Sequence, residues 1–114
     1  MKNITLATIK SIKRNGGATI NKYGDRVTMK SGYQVSKCDL LVIPVDELNK
    51  FIVKELLGRL ISRGDYLGLW IDNSNVYIDI SCRIATESKA MEMGRELNQL
   101  SVLRWSDMEC LAVN

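Results

Sequence analysis

Two carboxylates, one thiol and three aromatic rings are the side chains here with chemistry to offer. Asp72 and Asp79 lie within and beside the turn of the stretch Tyr66 to Ser81, Y-L-G-L-W-I-D-N-S-N-V-Y-I-D-I-S. Two carboxylates on one strand pair would hold a magnesium ion or act as an acid/base couple. The plainer reading is stronger: Asp72 bonds its own backbone in the turn, and Asp79 is a solvated or salt-bridged strand residue. Cys82 would be a nucleophile only with a base or a helix N-terminus to lower its pKa, and neither is evident. The chain contains no histidine, which removes the usual general base and the Ser-His-Asp and Cys-His arrangements. Gly16-Gly17 stands alone, with no G-x-G-x-x-G or G-K-S/T phosphate loop. An enzyme therefore ranks well below a binding protein, and no cofactor or metal is expected.

Trp70 and Tyr77, joined by Trp105, would form an aromatic patch across neighbouring strands. Such patches recruit proteins, or stack single-stranded bases where basic residues interleave. The charges beside this one are Asp72 and Asp79, which repel a phosphate backbone. If the face is open, a protein partner fits better, with Trp70, Tyr77, Asp79 and Trp105 as contacts. The alternative carries equal weight: the N-terminal segment covers this face and the tryptophans form a second core layer.

The elements that position these residues follow from periodicity. Around the Asp-Asn-Ser-Asn turn, Leu67, Leu69 and Ile71 share a face with Val76, Ile78 and Ile80, while Trp70, Tyr77 and Asp79 occupy the other. Asp46 to Arg63 carries Ile52, Val53, Leu56, Leu57, Leu60 and Ile61 in one stripe, predicting a helix ended by Gly64. Leu56, Leu60, Leu69, Ile71, Ile78 and Ile80 are expected to share one core. Thr86 caps a second helix, 88–98, with Ala90, Met91, Gly94 and Leu97 inward; Gly94 is expected to permit close packing. Residues 3–14 place Leu6, Ile9 and Ile12 at helical spacing before Gly16-Gly17, although their Thr and Ile content also suits a strand. Strands are expected at 17–21, 26–29, 33–36, 40–44 and 101–105, with a short closing segment at 110–113. The strand–helix–strand order predicts 101–105 parallel to 76–81.

A chain of 114 residues with 46% hydrophobic and 25% charged residues suits one α+β domain. The expected sheet is mixed and mainly antiparallel, with two helices packed on one face and a basic N-terminal segment. No apolar run is long enough to span a bilayer, and the lysine-punctuated N-terminus lacks the pattern of a secretory signal. Cys38, Cys82 and Cys110 have no metal-ligand spacing and are expected as reduced, buried thiols of a cytoplasmic protein. Within the net charge of +3, residues 1–37 hold eight basic side chains and one acid, whereas the remainder holds eight basic and twelve acidic. A polyanionic partner would meet Lys10, Lys13, Arg14, Lys22, Arg26 and Lys30. The plainer alternative is that the two parts complement each other's charge.

Gly68-Leu69-Trp70-Ile71-Asp72, Val76-Tyr77-Ile78-Asp79-Ile80-Ser81, Gly94-Arg95-Glu96 and Asn98-Gln99 resemble a G-x-W-x-D, V-Y-x-D-x-S, G-R-E-x-N-Q pattern. That pattern is found in small, uncharacterised accessory proteins of bacterial conjugative elements, plasmids and phages. Gly16-Gly17-Ala18-Thr19 and Ser31-Gly32-Tyr33-Gln34-Val35-Ser36 are similar to the same group, so the resemblance runs from Gly16 to Trp105. Where such proteins continue N-Q-L-A-I-W-D, this chain has the longer N-Q-L-S-V-L-R-W-S-D. The resemblance implies no catalytic residue. It implies a mobile genetic element as the setting, and stoichiometric action on a host or element-encoded protein, host defence systems included.

Overall fold

The computed structural model describes residues 4–60 and 65–113. Helix α1 (Leu6–Asn15) is set by a capping box: Thr8 N–H donates to the Thr5 hydroxyl, and Thr5 N–H to that of Thr8. Lys13 and Arg14 lie in its last turn, and Gly16 ends it at φ 77°, a left-handed conformation that glycine takes without penalty. Ile9 and Ile12 are buried, whereas Leu6 points to solvent.

Strand β1 (Gly17–Ile20) follows at once. The expected return strand 26–29 amounts to one bridge, Ile20 to Arg26. The two short strands expected at 33–36 and 40–44 are one twelve-residue strand, β2 (Tyr33–Pro44). Register shifts at Ser36/Cys38 and Asp39/Leu41 interrupt its alternation, which is why it reads as two.

The long helix expected from Asp46 is shorter. Val45–Glu47 makes one tight turn, the chain extends through Leu48, and α2 (Lys50–Leu57) starts at Asn49. The Asn49 carboxamide oxygen accepts from Phe51 and Ile52 N–H at 3.0 and 3.1 Å, a stronger start than any acid upstream provides. Ile61, Arg63 and Gly64 of the expected helix, and Lys2 of the basic segment, lie outside the described residues.

Strands β3 (Asp65–Asp72) and β4 (Asn75–Ile84) form the expected hairpin. Its two turn residues, Asn73 and Ser74, have φ of 49° and 67°, the backbone of a tight two-residue hairpin turn. After α3 (Glu87–Glu96) come β5 (Ser101–Arg104) and β6 (Glu109–Ala112).

The six strands form one sheet in the order β1-β3-β4-β2-β5-β6, and every pairing is antiparallel. The expected mixed sheet is thus corrected. β5 does run in the direction of β4, but β2 lies between them and pairs antiparallel with both. Long β2 occupies the whole free edge of β4, so the strand after α3 must dock one place further out.

The main core joins Ile9 and Ile12 of α1 with Val53, Leu56 and Leu57 of α2 and Leu67, Leu69, Val76 and Ile78 of the hairpin. Leu60 and Ile71 pack against it, and Ile80 is half-buried. A second cluster joins Ala90 of α3 to Val35 and Val102. A Cβ on Gly94 would stand 3.0 Å from Val113 and 3.2 Å from Val102, the close approach expected of this glycine. The cysteines correct expectation: Cys38 and Cys110 are exposed and Cys82 is half-buried. Cys38 lies at a register shift and Cys110 on an edge strand.

Candidate functional site

Strand alternation assembles the site on the sheet face that Leu69 and Ile78 do not use. Val42, Tyr77, Trp70 and Gly17 are successive cross-strand partners in one row. Asp39, Asp79, Gly68 and Thr19 make the row beside it. Trp70 and Tyr77 stand next to each other, 42% and 43% exposed, so the aromatic pair is open to solvent for nearly half its surface. Asp72 lies beyond them at the hairpin tip, opposite Asn75. The aromatic row therefore separates Asp72 from Asp79, and the two carboxylates do not form a couple. Among the described residues no group of three metal-ligating side chains occurs.

The sheet is curled, and this face is its inside. Thr19 on β1 donates to the Gln34 carboxamide oxygen on β2 at 3.0 Å, across the width of β3 and β4. Gln34 in turn donates to Ser81 at 2.7 Å. That reach is possible because Gly68, between them, has no side chain: a Cβ there would collide with the Asp79 carboxylate and crowd the Gln34 amide. Two cavities open in the curl, with Trp70 and Leu103 in the wall of both. One, about 270 Å³, is lined by Leu69, Trp105 and Met108 together with the Gly16-Gly17 backbone and Arg26. The other, about 170 Å³, is lined by Asp79, Ser36, Gln34 and Ser81, with Gln99, Ser101 and Cys110 at its rim.

Comparison with protein-family models, curated proteins and solved structures finds no match for this chain. What the site can do rests on its own geometry.

Asp79 is the group most changed by its surroundings. Burial pushes its pKa from 3.8 up to about 6, and Asp39 across β2 adds to the shift. The Ser36 hydroxyl nearby works in the other direction, though the two groups fall short of hydrogen-bond geometry. One carboxylate oxygen and the Ser36 hydroxyl are buried with no hydrogen-bond partner. Neither a solvated nor a salt-bridged aspartate describes this residue.

Trp105, expected beside Trp70 as a contact, is 5% exposed, and its indole N–H is buried without a partner. It follows β5 into a turn whose backbone N–H reaches Gly32, which carries the ring into the curl instead of onto its rim. Burial raises the Cys82 thiol pKa, so it is not an activated nucleophile; Lys37, paired with buried Asp65 at 2.8 Å, opposes that shift.

The basic residues divide. Lys10, Lys13 and Arg14 are exposed along α1, and Arg26 donates to Ser11 of the same helix at 3.0 Å. Lys22 lies 5.2 Å from the Tyr23 ring centre, and Lys30 is exposed before β2.

Sequence reasoning missed Thr19, Gln34, Ser36, Gly68 and Ser81. The signal was present in part: Gln34 and Ser36 alternate with Val35 in a strand, and Ser81 continues the parity of Tyr77 and Asp79. What periodicity could not carry was the curl that buries such residues.

Proposed function

We propose that this chain is a non-enzymatic accessory protein that acts by stoichiometric binding of another protein through the face carrying Trp70, Tyr77 and Asp79. The observation that carries the reading is the adjacent pair Trp70 and Tyr77, both over 40% exposed beside two cavities. A partly exposed indole next to a concavity is the usual anchor of a protein interface. The helices support it too. Ile78, packed with α2, and Ile84, packed with α3, have the same parity in an unbroken part of β4. Both helices are thus read as covering one face, while Trp70 and Tyr77 stay open on the other. No described helix is long and apolar enough to cross a membrane.

The G-x-W-x-D and V-Y-x-D-x-S resemblance adds the setting: a mobile genetic element in a bacterial cytoplasm, with a host or element-encoded target, including a defence system. Affinity capture from such a host, with nuclease and with Trp70→Ala beside the parent, tests the reading. A protein retained through nuclease treatment and lost with Trp70→Ala supports it; a partner held equally by Trp70→Ala removes it.

A second reading, nucleic-acid binding by the basic third, is favoured by one observation: Lys10, Lys13 and Arg14 are all solvent-exposed on a single helix. It requires retention on DNA or RNA that falls steeply with salt.

A further inference from the structure

The smaller cavity holds a carboxylate that no cation in its described lining answers. Asp79 leans over Gly68 into the sheet, with one oxygen buried and unpartnered. Of the polar groups around it, Gln34 gives one amide N–H to Ser81 and accepts from Thr19 with its oxygen, and the Ser36 hydroxyl makes no hydrogen bond. Asp39, the cross-strand partner on β2, adds a second negative charge. Cys110 reaches the rim from β6, and no lysine or arginine is among the described lining residues. A chain of net charge +3 thus keeps one carboxylate uncompensated beside a half-exposed indole.

We infer that this cavity receives the guanidinium of an arginine presented by the protein partner, with Asp79 as its counter-ion and Trp70 along its plane. The inference rests on the protein-binding reading and names what the partner must offer. A phosphate or carboxylate would be repelled by Asp79 and Asp39. A neutral apolar group would leave the Asp79 charge without a counter-ion. A guanidinium answers both requirements. It is more weakly hydrated than an ammonium, forks onto a carboxylate, and stacks on an indole face. Its methylene stem would lie on Leu103, the apolar wall of a space of about 170 Å³. The larger apolar cavity across Trp70 then accommodates a neighbouring apolar side chain of the same partner segment.

Because Asp79 titrates near 6, proton and guanidinium compete for it, and binding weakens as the pH falls below about 6.

The test uses the whole protein with ¹⁵N labelling and three probes: the blocked tripeptide Gly-Arg-Gly, the same peptide with citrulline, and agmatine. Saturable shifts of the Trp70 indole and the Gly68 amide are expected with the arginine peptide. Binding should be at least about tenfold weaker with citrulline, the uncharged isostere, and likewise for the arginine peptide with Asp79→Asn. Equal binding of the citrulline peptide, or unchanged binding by Asp79→Asn, overturns the inference. Tighter binding of agmatine than of the peptide assigns the cavity to a free small molecule and also overturns it. Should no probe bind while Trp70→Ala still abolishes partner capture, the arginine assignment falls and protein binding stands.

Discussion

At neutral pH Asp79 is ionised against the cost of its burial. Its folded pKa of about 6 lies above the ordinary 3.8, so the folded state prefers the protonated acid. Any stability this group lends is full below 3.8 and is lost as the pH rises through about 6. Asp79→Asn should therefore stabilise the protein at neutral pH, by up to about 2 kcal/mol, with the gain vanishing in acid. Denaturant titrations at both ends of that range measure it; a destabilised variant at neutral pH would contradict this electrostatic picture. A residue whose replacement raises stability but removes binding is a functional residue in the plainest sense. The two tryptophans make the opposite contrast. Trp105, 5% exposed, should cost about 3–5 kcal/mol when replaced by alanine, a loss measured by the same titrations. Trp70→Ala, at 42% exposure, should cost only about 1 kcal/mol and be felt in partner capture instead.

Among the elements, α2 carries most weight for its length. Its eight residues place Val53, Leu56 and Leu57 in the main core, and its start depends on the Asn49 cap. Leu56→Ala should destabilise by about 2–5 kcal/mol in equilibrium unfolding, because the cavity it leaves is walled by a sheet that cannot collapse into it. A loss within about 0.5 kcal/mol would remove Leu56 from the core. The β3–β4 hairpin is the element on which both faces depend. One parity supplies Leu67, Leu69, Val76 and Ile78 to the core, and the other supplies Trp70, Tyr77 and Asp79 to the candidate site. A one-residue slip of register would exchange the two sets, so the tight Asn73-Ser74 turn also fixes the site.

For the whole molecule, the placement of Lys10, Lys13 and Arg14 away from both cavities makes the two functional readings separable. Replacing Lys10, Lys13 and Arg14 together by glutamate should leave the capture of a protein partner unchanged, since none of them lines either cavity beside Trp70. The same variant should abolish any retention on DNA or RNA at low salt. Undetectable nucleic-acid binding by the parent at low salt would remove that reading altogether.

Local periodicity by itself determined the hairpin, its two faces, the existence but not the bounds of α2 and α3, and most of the main core. Each of these depends only on residues close in the chain, whose spacing matches one helix or strand period. The glycine stop located the end of α1 and Thr86 the start of α3, although the Thr86 side chain makes no cap bond; the Thr5 and Asn49 caps were missed, the latter because Asp46 and Glu47 upstream carry the same kind of signal. The strand order was a tertiary decision. Nothing local tells β5 that long β2 already fills the edge of β4, or that two register shifts leave β2 a single strand. Tertiary structure also shaped the candidate site. The curl of the sheet over Gly68 brings Thr19 to Gln34, draws Trp105 inside, and moves Asp79 from solvent to a half-enclosed cavity. Burial is a property of what lies across a sheet, and neighbours in sequence do not encode it.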